Sequence, residues 1–373
     1  MMLFLLFGAM LMFALVMELG LLNEAQVQLQ GAADAAALAG AVELMDNDIL
    51  RPLNPADQAD DIQDACREAA DYVRRNVAVG VPLAIEAGRL SRSPNLVLAG
   101  GTLRQATHDR RFIPDDGSGR RVDTLQVCVQ RSAEHDNPVT LWFSSLLGLA
   151  QANSRAAAEA TLEQRILGFR PTRQCHIPML PLAAPATGSS EAWISQAFAV
   201  PVSGRNDRFH VDPHTGETVA GHDGIPEIEL RPADGNVVTL RIGTPWQTSR
   251  AVGQMVAGLS AEDVAPHGGQ LTLGSPTAPL RLSATSGIEA SVASAARGIL
   301  GQRRIWPLFG APAADGHVDI IGFAAGSIVD LRRDAGQWVL LVQPCLLVTT
   351  TALTATTDLA PYNPWIAKLA LTR

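Results

Sequence analysis

From Met1 to Met17 no side chain is charged or hydrogen-bonding, and Leu19 to Leu22 extends that apolar run with Glu18 as its one ionisable interruption. At about 1.5 Å per residue, the stretch from Met1 to Leu22 reaches roughly 33 Å as a helix. That is enough for a hydrocarbon core of roughly 30 Å, and longer than the about 7–15 residues of a cleavable signal's apolar region. The pattern predicts an uncleaved, membrane-spanning helix. Glu18 lies one turn from the polar pair Asn23 and Glu24, so it is expected at the interface as a solvated carboxylate. No proline follows until Pro52, and the helix is predicted to continue through Gln26 to Gln30 into the Ala-rich run from Gly31 to Ala41. Gly31 and Ala35, Ala32 and Ala36, and Ala36 and Gly40 recur at four-residue spacing, which sets small residues on one helix face and permits close approach.

Beyond Pro52 the period changes from element to element. Asp57 to Val77 carries Ile62, Ala65, Ala69, Tyr72 and Val73 at helical spacing with acidic residues between them, predicting an amphipathic helix. Strands are expected at Val81 to Ala87, Asn95 to Ala99 and Thr124 to Arg131, the last with Leu125, Val127 and Val129 alternating with polar residues. Val139 to Leu149 is expected as a short helix closed by Gly148, followed by a strand from Ala152 to Gln164. Pro171, Pro178, Pro181, Pro185 and Pro201 then mark a connector, because proline removes a backbone donor and fixes its own geometry.

Further on, Val237 to Ile242 and Leu271 to Leu273 read as strands, and Val252 to Leu259 as a helix with a capping turn at Ser260. The continuous apolar runs Ile305 to Gly310, Val318 to Leu331 and Trp338 to Thr350 suit buried strands. Gln343 and Pro344 keep the last of them from being a second membrane span. The resulting fold class is α+β: a membrane anchor with helical extension over 1–47, a first α+β domain over 48–170, and a Pro-rich connector with a β-rich second domain over 171–373.

The run Gln28 to Ala41, QLQGAADAAALAGA, behind an apolar helix ending in Glu18-Leu19-Gly20, resembles the start of the TadG-like proteins of the Flp (Tad) pilus machinery. Phe143, Leu147, Gly148, Ala156, Ala158 and Ala160 fall on a second, weaker part of the same resemblance, and the three C-terminal apolar runs on a third. The resemblance implies a structural or assembly component, not an enzyme, with the inner membrane as one partner through Met1 to Leu22. It also implies other pilus-assembly proteins as partners through the helix from Gly31 to Ala41. A prepilin is disfavoured by spacing: such a helix places Glu five residues after its glycine, and here Gly8 is followed by Phe13.

Charge adds topology. The first arginine is Arg51, while Glu18, Glu24, Asp34, Glu43, Asp46 and Asp48 precede it, so the downstream flank lacks the cations that hold a loop in the cytoplasm. The body is expected on the periplasmic side of a bacterial inner membrane, with a single pass. No basic region precedes the helix, which predicts a start upstream of Met1. A net charge of −8 without any basic run argues against nucleic acid, which requires clustered cations. Lys368 is the one lysine among 29 basic residues, as a GC-rich genome would produce.

The chain holds no Gly-x-Ser-x-Gly elbow, Walker phosphate loop, His-Glu-x-x-His or Cys-x-x-Cys pair, so no catalytic residue, cofactor-binding residue or metal ligand is assigned. One cluster supplies the alternative function of an anchored extracytoplasmic enzyme or metal-binding protein: His210, Asp212, His214, His222 and Asp223 are donors of the kind a divalent ion takes. Against it, Asp212-Pro213 and Thr215-Gly216 are turn signals that explain the same polarity without a ligand. Cys66, Cys128, Cys175 and Cys345 would meet an oxidising compartment. Disulfides and buried thiols both remain open, and sequence does not separate the three pairings.

Overall fold

The computed structural model describes residues 2–45, 50, 55–83, 92–93, 96–106, 109–114, 122–143, 148, 150–187, 192–212, 215–231, 236–274, 278–312, 315–355 and 362–372. The fold is α+β. Cα packing divides the chain into one unit of Met1–Asp46, Leu53–Leu162 and Leu369–Arg373, and a second of Asn47–Pro52 and Glu163–Lys368. The proline run expected as a connector lies inside the second unit, where Leu182–Pro185 is a sheet strand.

The first unit is built on one helix, Met2–Glu43. Its apolar first half is long and apolar enough to cross a membrane, and no breaker stops it from running on. Helix Pro55–Arg74 packs against its second half, as does the strand Thr124–Arg131. That strand is the middle of an antiparallel array with Leu96–Ala106 on one side and Ser154–Glu163 on the other. The register sets Leu125 opposite Ala160, Val127 opposite Ala158 and Val129 opposite Ala156, all buried. A large residue beside a small one on each rung leaves a surface that the Ala-rich helix can approach closely. Leu125 touches the helix, as the surroundings of Gly40 show.

The expected helix from Val139 to Leu149 is corrected at its start. Val139–Thr140 is a strand paired with Gln151–Ala152, while residues 144–147 and 149 lie outside those described. Buried Arg131 explains the extended backbone, because its guanidinium donates to the carbonyls of Ala78 at 2.8 Å, Asn137 at 3.3 Å and Pro138 at 2.7 Å. Of the strand expected from Val81 to Ala87, Val81–Pro82 pairs with Val77–Ala78, and residues 84–87 are not among those described.

In the second unit five strands close into a ring. His317–Asp334 pairs with Leu280–Ser286, which pairs with Val238–Leu240, then Leu182–Pro185, then Arg303–Pro312, which returns to His317–Asp334. All these pairings are antiparallel except Leu182–Pro185 with Arg303–Pro312, which is parallel. Gln337–Pro344 and Ile228–Leu230 extend the long strand outward. Closure removes exposed strand edges, and a ring this small is filled by side chains. Leu182, Leu240, Ile305, Trp306 and Phe309 belong to one buried core. Helix Thr248–Ala257 packs on Ala290–Arg297. Ser260 caps the following short helix, Ala261–Val264, accepting the N–H of Asp263 while the Asp263 carboxylate accepts that of Ser260.

Candidate functional site

The small-residue helix presents two faces. Ala33, Ala36, Ala37 and Ala41 are fully buried, and Gly40 is buried with them. A Cβ on Gly40 would stand 2.4 Å from Leu125 Cδ2 and 2.5 Å from the Ala65 carbonyl oxygen. This face is therefore occupied by the unit's own helix and sheet. Gly31, by contrast, is exposed and has nothing within 4 Å of the Cβ position. Val27, Gly31, Ala35, Leu38 and Val42, at steps of three and four residues, form an outer stripe that is exposed or half-buried. The four residues Gly31, Ala35, Ala36 and Gly40, which spacing had joined into one face, divide between the two.

Polar residues of the helix tie it to the same body. Gln26 Nε2 donates to the Arg155 carbonyl at 3.0 Å, Gln28 Oε1 accepts the Val79 N–H at 2.6 Å, and Gln30 Nε2 donates to the Ala157 carbonyl at 3.1 Å. Glu18 is not the solvated carboxylate that its position suggested. It is 5% exposed and accepts the backbone N–H of Phe143.

The histidine cluster falls on a hairpin of Phe209–Val211 and Thr218–Ala220, with His210 opposite Val219. His214 lies outside the described residues. Asp212 Oδ1 accepts the Thr215 N–H at 2.8 Å, the work of a turn residue. The anchor of the region is Asp207, which sequence reading passed over. Fully buried, it accepts the N–H groups of Asp223 at 3.1 Å and Gly224 at 2.9 Å, and pairs with His222 Nδ1. Asp223 accepts the Ile225 N–H at 2.9 Å and the Gln343 amide at 3.0 Å, and the same amide donates to the Phe209 carbonyl. These groups are engaged in holding the hairpin to strand Gln337–Pro344. Among the described residues no group of three His, Cys, Asp or Glu is placed to hold a metal ion.

Buried Glu227 completes the region, accepting the N–H groups of Arg208 and Phe209, each at 2.7 Å. Burial pushes its carboxyl above the ordinary range. The two N–H donors and the Arg208 charge oppose that shift, and the Asp207 charge adds to it. A raised folded-state value means that this group's contribution to stability is complete below the ordinary glutamate range and is lost as pH rises through the raised value. Glu227→Gln keeps an acceptor for both N–H groups. It is expected to flatten that part of the decline when urea midpoints are measured across the carboxylate range, and an unchanged slope would refute the assignment.

All four cysteines are free, so none of the open pairings is formed. Burial raises the Cys66 thiol, and it pushes Cys345 up to about 11 despite the nearby Arg303 charge and Ser327 hydroxyl. Cys175 is exposed.

The family described as putative Flp pilus-assembly TadE/G-like matches residues 1–43. Its limits coincide with those of the long helix, Met2–Glu43. No curated protein and no solved structure matches the chain.

Proposed function

We propose that the chain is a membrane-anchored structural or assembly component of a Flp (Tad) type pilus or a related secretion system, with its body periplasmic. The observation that carries this reading is the helix Met2–Glu43: its whole length is the TadE/G-like segment, apolar at first and then Ala/Gly-rich. Its inner face is committed to the protein's own body. The partner surface is therefore the outer stripe of Val27, Gly31, Ala35, Leu38 and Val42, whose small middle residues suit a second helix at close range. The arginine-free flank supports the orientation.

Two measurements test this function. An alkaline phosphatase reporter joined after Arg373 is expected to be active, and activity only of a cytoplasmic reporter would overturn the topology. Deleting the gene is expected to abolish pili, with the full-length chain restoring them. Normal pili without the chain would refute the assembly role.

A further inference from the structure

We infer that the hairpin Val139–Thr140/Gln151–Ala152 is a second membrane contact, seating Trp142 and Phe143 in the lipid headgroup–acyl boundary beside the anchor helix. This rests on the reading that the helix crosses the bilayer. The apolar run ends at Leu22 and the polar pair Asn23 and Glu24 follows, so the hydrocarbon boundary of a spanning helix lies near Leu22, with Glu18 four residues, about 6 Å, before it. A spanning helix therefore holds Glu18 at or just inside the hydrocarbon boundary. The Phe143 N–H donates to Glu18, which fixes Phe143 at that depth. Ala14, one turn deeper on the same face, is also covered, at 8% exposed, while Phe13, Leu15 and Met17 around it are open.

Trp142 and Phe143 have the chemistry of the boundary. Trp142 is 76% and Phe143 42% exposed, two adjacent aromatic groups standing out from the surface. Tryptophan in particular settles where an apolar ring meets a wet headgroup layer. Further hydrogen bonds from the helix to the body are made by Gln26, Gln28 and Gln30, about 12 Å and more along the helix. Trp142 and Phe143 thus lie below these contacts, toward the membrane. Its geometry is held: Leu141 N–H donates to the Ala150 carbonyl at 2.9 Å, and Arg131 grips the carbonyls of Asn137 and Pro138 at its base. The carboxylate of Glu18, costly at this depth, is compensated by an N–H donor from the protein itself.

The test uses the full chain in phosphatidylcholine/phosphatidylglycerol nanodiscs whose lipids carry bromine either near the headgroup or near the acyl end. Bromine near the headgroup is expected to quench a component of the tryptophan emission that bromine at the acyl end leaves largely intact. In Trp142→Phe that component is expected to be lost, because the remaining tryptophans lie elsewhere in the sequence. Equal quenching of wild type and variant, in protein that resists alkaline carbonate extraction, would overturn the hairpin contact and leave the membrane span standing. Protein released by carbonate would overturn the span itself, and the inference with it.

Discussion

Trp306→Ala is expected to cost the second unit about 3–5 kcal/mol, the range for truncating a large buried aromatic side chain. Trp306 is fully buried on strand Arg303–Pro312, the strand that closes the ring against His317–Asp334. Its ring centroid lies 5.7 Å from that of Trp193, and its indole N–H donates to the Gly326 carbonyl at 3.2 Å. The register places it opposite Ala324, beside Ala325, and neither alanine has the reach to fill the space left behind. The cavity therefore persists and the full penalty is paid in lost contacts. Peptide-resolved hydrogen exchange is the direct check, because the amides of Arg303–Pro312 and His317–Asp334 share this closure and should lose protection together. Trp306→Phe, which keeps much of the volume and drops the indole bond, is expected to lose less. Protection in Trp306→Ala equal to wild type would mean that the ring does not depend on this packing.

How far such features can be read from sequence depends on the range of the interaction that decides them. The long helix was legible because an apolar run followed by alanines, with no proline before Pro52, is a local instruction. Thr124–Arg131 was legible through strict alternation of Leu125, Val127 and Val129. The ring was not: its closing pair joins Leu182–Pro185 to Arg303–Pro312, and nothing in either short segment names the other. The start of the run from Val139 misled for a different reason. An apolar run without alternation does not distinguish helix from strand, and the deciding contacts come from Arg131 to the carbonyls of Asn137 and Pro138.

Glu18 was judged from its neighbours along the helix, whereas its partner is Phe143, 125 residues away. Within the hairpin the role of Asp212 was written in its turn sequence. Asp207 lay outside the stretch that drew attention, and the available signal was Gln343, a polar interruption in an apolar strand that proves to bind Asp223 and Phe209.

Gly40→Leu and Gly31→Leu, nine residues apart on one helix, are expected to fail in opposite ways. At Gly40 even a Cβ meets Leu125 Cδ2 at 2.4 Å, the Ala65 carbonyl oxygen at 2.5 Å and Ala69 Cβ at 3.0 Å. Leu125 can rotate, but the Ala65 oxygen is backbone, so helix Pro55–Arg74 must move. Overpacking of this kind costs typically about 1–3 kcal/mol and occasionally more, and Ala36→Leu on the same buried face should act in the same direction. Melting of the purified full chain in detergent should therefore shift downward, with the first unit losing amide protection. At Gly31 a side chain enters open space, and leucine gains about 0.8 kcal/mol of helix propensity over glycine. Gly31→Leu should fold and reach the membrane at wild-type levels or better. Its defect belongs to assembly: the outer stripe of Val27, Gly31, Ala35, Leu38 and Val42 would no longer admit a close helix, and pili should be lost. Wild-type pili in Gly31→Leu would remove the stripe as the partner surface. Wild-type melting in Gly40→Leu would instead show that the inner face is not packed on its own unit, and each result leaves the other conclusion standing.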